Sequence, residues 1–377
     1  MQQGAFLERG DRVGDYELLA PIGTGGMGRV WVARESGAVG HERRVAIKTA
    51  LMEQEASDAF WTVLLDEARI ASRVQHPNVC AIHAANREGE LVYLVMDWSD
   101  GGSLRELLDA LPEHRLELHH AARVVARVCA GLHAVHELLD DDGTPLGVVH
   151  RDVSPQNILI STTGQVRLTD FGVAKARGQI HAPTQTGEIK GKISYMAPEQ
   201  LTTRDVDRRA DVFALGCVLY ECTTGERPFR GDDALATLYQ LLEQPLVLPS
   251  ERVGAYPREL EAIVEKALAR DPNQRYATAA ELGRALETWL VHEQVMVSDA
   301  DVGSVLRAGL DARIAERNRA IDAPVASPGP AGAEAPSTAG RVSDATLSGA
   351  AAPTPRTVAA QRGRNARWVV FGGAGAF

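Results

Sequence analysis

Two carboxylates and an amide occur close together near the middle of the chain, in a pattern that suits chemistry on a phosphate group. His150-Arg151-Asp152 is followed by Asn157, and Asp170 opens the triplet Asp170-Phe171-Gly172. One carboxylate can accept a proton from a hydroxyl group, whereas the other carboxylate and the amide oxygen are hard ligands that Mg²⁺ prefers. The spacing therefore predicts a general base and a magnesium site in one region.

A glycine-rich segment and a lysine precede these residues. Gly23-Thr24-Gly25-Gly26-Met27-Gly28 with Val30 has the pattern G-x-G-x-x-G-x-V, and Val45-Ala46-Ile47-Lys48 follows it. Glycines let backbone N–H groups approach phosphate oxygens, and a lysine can neutralise phosphate charge. The segment after the glycines is predicted to be a strand, which argues against a dinucleotide-binding fold. Glu67, on the inward face of the next predicted helix, is the expected partner of Lys48.

The elements that must position these residues form a β-rich part and an α-rich part. Alternating β-branched residues from Tyr16 to Lys48 predict a small antiparallel sheet, and a second strand pair precedes the polar segment 97–102, which is interpreted as a hinge. Beyond the hinge, apolar residues recur at helical spacing. The predicted fold class is therefore α+β, with two lobes.

Beyond residue 300 the character of the chain changes again. Four apolar residues recur every four positions and predict an amphipathic helix over 301–321, packed on the second lobe or on a partner: Val302, Leu306, Leu310 and Ile314. Segment 322–361 is rich in Ala, Pro, Gly, Ser and Thr and is predicted to be a disordered linker. Segment 362–377 joins arginines to an apolar run, which resembles the start of a membrane span; a frayed tail is the alternative.

Composition excludes several classes of function. The net charge is −10, with 40 Lys and Arg against 50 Asp and Glu, so no basic field favours nucleic acid as a partner. The four cysteines include no C-x-x-C pair and are predicted to be reduced. The N-terminus lacks the pattern of a secretory signal. We therefore expect a cytoplasmic catalytic part, with possible membrane attachment through the C-terminal end.

With these motifs in this order, the chain resembles the protein kinases, specifically the eukaryotic-type (Hanks-type) serine/threonine kinases of bacteria. The resemblance covers about Tyr16 to Leu290 and includes Ala197-Pro198-Glu199, which closes the segment that seats a peptide. It implies a small antiparallel-sheet N-lobe with one main helix and a mainly helical C-lobe. The implied limits are an N-terminal extension over 1–15, the N-lobe over 16–96, the hinge over 97–102 and the C-lobe over 103–292.

The resemblance also implies a role for each matching residue. Lys48 pairs with Glu67 and the α and β phosphates of ATP, and Asp152 accepts the proton of the substrate hydroxyl. Asn157 and Asp170 bind Mg²⁺, for which Mn²⁺ can substitute. The implied nucleotide-binding set is Ile22, Gly23, Gly25, Gly26, Gly28, Val30, Ala46, Lys48, Met96, Asp97 and Ser99.

Three supporting arrangements are implied in the same way. Glu199 is expected to pair with Arg275, and Asp211 to support the catalytic loop from beneath. An internal stack is expected from His150, Phe171 and Ala71.

The chain departs from the family pattern at two positions. Ser154 stands where the family has a lysine that touches the γ-phosphate, and Lys192 stands where the family has a threonine. We hypothesise that Lys192 returns an ammonium group to the γ-phosphate while Ser154 provides the hydroxyl. The alternative is that Ser154 is a tolerated loss and Lys192 a surface charge.

Regulation is predicted to act on the segment between Gly172 and Ala197. Thr184 and Thr186 lie there, and a phosphothreonine would bring negative charge to Arg151. We predict activating autophosphorylation at Thr184 or Thr186, with a dimer as the arrangement that would permit it.

The expected function is transfer of the γ-phosphate of Mg-ATP to serine or threonine hydroxyls of proteins in bacterial signalling. One alternative is a pseudokinase-like scaffold that binds nucleotide without turnover, although Lys48, Asp152 and Asp170 are all present. A second is a small-molecule phosphotransferase, against which the complete segment 191–199 argues.

Overall fold

The first lobe is a curled antiparallel sheet in the computed structural model, which describes residues 7–25, 28–35, 43–51, 61, 65, 68, 71–170, 193–203 and 206–324. Its six strands have the order β1-β2-β3-β4-β6-β5. The strands are β1 Arg12–Val13, β2 Tyr16–Gly25, β3 Gly28–Glu35, β4 Arg44–Leu51, β5 Ile82–Glu88 and β6 Leu91–Asp97. Alternation along the strands places Trp31, Ile47 and Val95 in a cluster on one face, which leaves Lys48 on the other. The helix that the sequence predicts around Glu67 lies mostly outside the described residues.

The second lobe is mainly helical and begins directly after the hinge. A small sheet of β7 Gly102–Ser103, β8 Ile158–Ile160 and β9 Val166–Leu168 lies at its upper edge. The helices are α1 Leu104–Ala110, α2 Leu118–His136, α3 Glu199–Thr202, α4 Arg209–Thr224, α5 Ala234–Glu243, α6 Pro249–Arg252, α7 Arg258–Ala267 and α8 Ala279–His292.

Helix α4 is the centre of this lobe. Nearly all of its residues are buried, including Asp211 and Glu221, so it is surrounded on every side by protein. It ends at Gly225, whose φ of 79° is the left-handed conformation that glycine adopts without strain. A buried helix of this kind is a rigid base for the loops that carry chemistry.

A last helix, α9 Asp299–Asp322, follows the second lobe and packs on both lobes. Ser298 and Asp301 form a capping box at its start. Its apolar residues Leu306 and Leu310 join the core of the second lobe, whereas Ile321 joins a cluster of the first lobe. The sequence prediction of packing on the second lobe or on a partner therefore missed the contact with the first lobe.

The C-terminal predictions fall mainly outside the described residues. The linker over 322–361 is described only as far as residue 324, and segment 362–377 is not described. Within the described ranges, no helix combines the length and apolar character needed to cross a membrane. All four cysteines are buried free thiols.

Candidate active site

Lys48 and Asp170 form an ion pair between the two lobes. Lys48 lies in the middle of β4, opposite Val30 in β3 and Leu94 in β6. Its Nζ atom is 2.8 Å from Oδ1 of Asp170, which follows β9. Both side chains keep more than a third of their surface exposed, so the pair lies in an accessible cleft.

The apolar residues of the predicted nucleotide site lie on the same sheet face as Lys48. Ala46 and Met96 are direct partners across β4 and β6, two positions from Lys48 and Leu94. Val30 packs against the apolar cluster that contains Ala46 and Met96. Ile22 packs against a second cluster, which contains Val32. The register of three strands therefore brings these residues together.

The glycine-rich segment turns between β2 and β3. Gly23 is paired with Val30, and Gly25 is paired with Gly28. A Cβ atom on Gly28 would lie 1.6 Å from the carbonyl oxygen of Thr49, so only glycine fits there. Gly26 lies outside the described residues.

The hinge offers a ligand its backbone because the Asp97 side chain is already engaged. Its carboxylate accepts a hydrogen bond from Nε2 of His83 at 2.8 Å and lies 3.6 Å from Nη1 of Arg167. The Asp97 N–H donates to the carbonyl of Ala81. The carbonyl of Asp97, which lies 3.5 Å from Sγ of Cys80, and the backbone of Ser99 are the hinge groups that the sequence predicts to contact a nucleotide.

Asp211 holds the loop that carries Asp152. The backbone N–H groups of His150 and Arg151 donate to the two oxygens of its carboxylate at 2.7 and 2.8 Å. Nε2 of His136 lies 2.8 Å from the same carboxylate. Burial opposes ionisation of Asp211, but the contacts from His136 and His150 outweigh it and hold its pKa below the usual value. The loop is therefore anchored to the buried helix α4 through a charged acceptor.

His150 is buried beneath Asp152 as a neutral ring. Its Nδ1 accepts a hydrogen bond from the Asp152 N–H at 3.3 Å, and its Nε2 donates to the carbonyl of Thr169 at 3.2 Å. Those partners assign the proton to Nε2. Burial lowers the pKa of His150, despite the nearby carboxylates, which agrees with the neutral form. His150 thus connects the segment of Asp152 to the segment of Asp170.

Asn157 is oriented by the same loop. Its Nδ2 donates to the backbone carbonyl of Asp152 at 2.7 Å. The backbone carbonyl of Asn157 accepts a hydrogen bond from the N–H of Thr169. The amide nitrogen is therefore engaged, which leaves Oδ1 as the atom suited to a cation. Arg151 and Asp170 both have positive φ, 61° and 58°, a strained conformation that is common at functional sites.

Ser154 lies in a cleft beside Asp152. The cleft is lined by Arg151, Asp152 and Ser154 together with Tyr195 and Met196. The residue is buried and caps no backbone N–H of the short turn Pro155–Asn157. Lys192, the residue predicted to act with it, lies outside the described residues.

A buried polar cluster under Tyr195 was not predicted. The Tyr195 hydroxyl donates to Glu221 of α4, and Nη2 of Arg105 lies 2.6 Å from the same carboxylate. Arg227 lies over the Tyr195 ring at 5.4 Å. Burial and the Glu221 carboxylate raise the pKa of Tyr195 well above its usual value. The available signal was Glu221 itself, a charged residue inside an otherwise apolar helical run.

The expected ion pair between Glu199 and Arg275 is present. Nη1 and Nη2 of Arg275 each contact one carboxylate oxygen of Glu199, at 2.6 and 2.8 Å. The guanidinium group also lies over the Phe213 ring at 4.8 Å. This bidentate pair ties the segment after Tyr195 to the C-lobe.

Several predicted residues cannot be placed because they lie outside the described residues: Glu67, Phe171, Thr184, Thr186 and Lys192. His133 and His136 lie one helical turn apart near the end of α2. In the described part of the chain, no three His, Cys, Asp or Glu residues are grouped closely enough to hold a metal ion. His136 is instead the partner of Asp211.

Residues 16–286 match the family described as "Protein kinase domain". The chain is 39% identical over 309 residues to the "Tyrosine-protein kinase MasK" of Myxococcus xanthus, which covers 81% of this chain and 48% of the relative. It is 37% identical to the "Serine/threonine-protein kinase PknB" of Mycobacterium leprae over 71% of this chain and 42% of the relative. The chain therefore spans about half the length of these curated relatives or less.

Solved structures agree on the fold. The kinase domain of PknI from Mycobacterium tuberculosis superimposes with a TM-score of 0.56 at 24% identity, covering 75% of this chain and 99% of that domain. A similarity at this level of identity concerns the arrangement of elements and not their chemistry. Helix α9 begins after the last residue of the matched family region.

Proposed function

The chain belongs to the protein kinase family, and we propose that it transfers the γ-phosphate of ATP to serine and threonine hydroxyls of proteins in bacterial signalling. The observation that carries this proposal is the contact between Lys48 and Asp170, which joins the two lobes at 2.8 Å. Hydrogen bonds of His150 and Asn157 connect the loop of Asp152 to Thr169, the residue before Asp170. Phosphoryl transfer needs cations and positioning groups around the phosphates more than it needs covalent chemistry.

Each side chain then has one task. Lys48 neutralises the α and β phosphates, with Glu67 as its proposed second partner. Asp152 accepts the proton of the acceptor hydroxyl and orients its oxygen toward the γ-phosphate. The proposed adenine pocket consists of Ile22, Val30, Ala46 and Met96 with the backbone of Asp97 and Ser99, and the glycine loop 23–28 covers the phosphates.

Asp170 and Asn157 fit a hard divalent cation. One offers a carboxylate and the other an amide oxygen, because its amide nitrogen is engaged by the Asp152 carbonyl. We propose Mg²⁺ as the metal, with Mn²⁺ as a substitute. When bound there, the metal supplies charge neutralisation for the transferred phosphate.

Serine and threonine are proposed as acceptors although one relative is named a tyrosine kinase. The mycobacterial relatives named PknB and PknA are serine/threonine kinases, and they match over 71% to 78% of this chain. Transfer to tyrosine is the second candidate, because one relative is named a tyrosine kinase. Phosphoamino-acid analysis of a labelled substrate separates the two.

Lys192 is proposed to replace the lysine that the family carries at the position of Ser154. The support is the location of Ser154, which is buried and lines the same cleft as Asp152. A double-mutant cycle of Ser154→Lys and Lys192→Thr tests the exchange. Coupled effects on kcat/KM support it, and purely additive effects contradict it.

Regulation and location complete the proposal. We propose activating autophosphorylation at Thr184 or Thr186 within a dimer. Arg151 is the proposed cation that pairs with the resulting phosphothreonine. We also propose that the kinase domain is cytoplasmic and is tethered to the inner face of the membrane through 362–377. The proposed autophosphorylation would be contradicted if mass spectrometry found both threonines unmodified in fully active enzyme.

Incubation with γ-labelled ATP and a generic protein substrate tests the proposed activity. Incorporation into serine and threonine that stops on metal chelation is the expected result. Absence of incorporation by a wild-type chain that binds ATP would instead favour a nucleotide-binding scaffold.

A further inference from the structure

We propose that helix α9 is a strap that holds the hinge in its nucleotide-binding conformation, and that Arg317 is the positioning residue through which it acts. This inference rests on the proposed function, because it concerns affinity for ATP. Three sets of contacts support the inference: those of α9 with the C-lobe, with the hinge and with the N-lobe.

The beginning of α9 is fixed to the C-lobe. Asp299 accepts a hydrogen bond from Nη2 of Arg127 in α2 at 3.0 Å. Gly303 packs so closely on the turn between β8 and β9 that a Cβ atom would lie 2.7 Å from the carbonyl of Thr162. Arg307 donates to that same carbonyl. This end of the helix therefore cannot shift without displacing the turn.

The middle of α9 packs on the end of the hinge. A Cβ atom on Gly102 would lie 2.7 Å from Cδ1 of Leu310, and one on Gly101 would lie 2.7 Å from Cδ2 of Leu306. Both leucines are buried. The two hinge glycines thus provide the space into which the helix inserts its apolar side chains.

Arg317 contacts the hinge directly. Its guanidinium group lies over the Trp98 ring, 5.0 Å from the centroid, and donates to the carbonyl of Asp100. The Asp100 carboxylate in turn accepts a hydrogen bond from the N–H of Thr162 at 2.9 Å. Trp98 lies between Asp97 and Ser99, whose backbone is the proposed adenine contact. Arg317 therefore holds the segment on which adenine binding depends.

The end of α9 is attached to the N-lobe. Ile321 is 3% exposed and packs with Leu19, Ala20 and Val32. Ile22 and Trp98 pack against that same cluster, so the strap touches the edge of the proposed adenine pocket. Arg9 donates to the carbonyls of Ala320, Ile321 and Ala323, which is favourable because the C-terminal end of a helix carries partial negative charge.

One helix thus contacts both lobes and the hinge between them. The two lobes of such a fold move relative to each other through the hinge, and contacts on both sides restrict that motion. A nucleotide site that is already arranged loses less entropy on binding, so release of the strap should weaken nucleotide binding without altering the transfer step.

The test uses the full chain and compares Arg317→Ala with Arg317→Lys and Arg319→Ala. Arg319 is a matched control because it is exposed on the same helix and its side chain donates to the carbonyl of Ala315, at 3.4 Å, within the helix itself. The dissociation constant of a fluorescent ADP analogue, the KM for ATP, kcat and Tm are measured for each protein.

Arg317→Ala is expected to raise both the dissociation constant and the KM for ATP about tenfold, with kcat within about twofold, because a cation–π contact and a charged hydrogen bond are lost together. Arg317→Lys should recover part of the affinity, and Arg319→Ala should match the wild type. Faster hydrogen exchange of the hinge amides in Arg317→Ala is the accompanying signature.

An Arg317→Ala chain with a lower Tm but unchanged nucleotide affinity would overturn the inference, since the residue would then be only structural. If that variant does not fold, Ile321→Ala decides in the same way: weaker nucleotide binding supports the strap, and unchanged binding overturns it. A wild-type chain that binds no nucleotide would overturn the proposed function, a distinct result that removes the basis of the inference as well.

Discussion

The ammonium group of Lys48 and the carboxylate of Asp170 meet at 2.8 Å, although one belongs to the N-lobe sheet and the other to the C-lobe. The cation proposed to neutralise the phosphates and the carboxylate proposed to bind a metal are thereby brought to one place. The proposed chemistry depends on this meeting of the lobes more than on any other contact.

Replacement of Lys48 by methionine should lower kcat/KM about 10²- to 10³-fold, because one preorganised cation at the phosphates is lost. Steady-state kinetics with ATP as the varied substrate measure the change. Lys266→Met is the matched control, since Lys266 lies exposed in α7. Activity of Lys48→Met within about threefold of the wild type would contradict the role of this residue.

Replacement of Asp211 by asparagine should reduce the free energy of unfolding by about 2 to 4 kcal/mol, since a buried charged acceptor of two backbone N–H groups is lost. Denaturant unfolding measures the loss. Asp109→Asn is the control, because the Asp109 carboxylate is mostly exposed. A loss no larger than that of the control would show that Asp211 does not anchor the loop.

Acidification should destabilise the protein through His150. Its pKa in the folded state lies below the ordinary value of 6.5 because the ring is buried. Below pH 6.5 the unfolded state therefore binds a proton that the folded state refuses, and stability falls until the pH reaches the folded pKa. Above pH 6.5 both states are neutral and the contribution is constant.

The His150→Asn variant isolates this effect by comparison with the wild type. The slope of unfolding free energy against pH between pH 6.5 and 5 should be smaller in the variant by up to about 1.4 kcal/mol per pH unit. Urea unfolding at a series of pH values provides both slopes. Identical slopes would mean that His150 accepts protons equally in the folded and unfolded states.

Replacement of Arg275 by methionine should cost about 3 to 5 kcal/mol, because Glu199 would remain as a poorly compensated, largely buried charge. Arg275 itself is 4% exposed and holds both carboxylate oxygens. Thermal unfolding checks the prediction, with Arg284→Met on the exposed face of α8 as control. Equal Tm values for the two variants would contradict it.

Residues whose position is local to a motif could be located from the sequence, although their chemical roles stay predictions. Lys48 follows from strand alternation, and Asp152, Asn157 and Asp170 follow from their spacing. The exact ends of helices, such as Arg209 and Thr224 for α4, do not follow from the spacing of apolar residues. Ends depend on caps and on tertiary contacts, which periodicity does not record.

Contacts between distant segments were not predictable in the same way. The spacing of Leu306, Leu310 and Ile314 defines an apolar face, but a helical period does not say which surface that face covers. Arg9 and the end of α9 are separated by more than 300 residues and meet only because the chain folds back on the N-lobe. The cluster of Arg105, Tyr195 and Glu221 likewise exists only in three dimensions.

The most direct test of the proposed phosphate transfer compares nucleotide binding and turnover in Asp152→Asn. Asp152 is proposed to act on the acceptor hydroxyl and not on ATP, so the affinity for nucleotide should stay within about twofold of the wild type while kcat falls about 10²- to 10⁴-fold. Transfer of labelled phosphate to serine and threonine at a rate close to that of the wild type would contradict the assignment of the catalytic base.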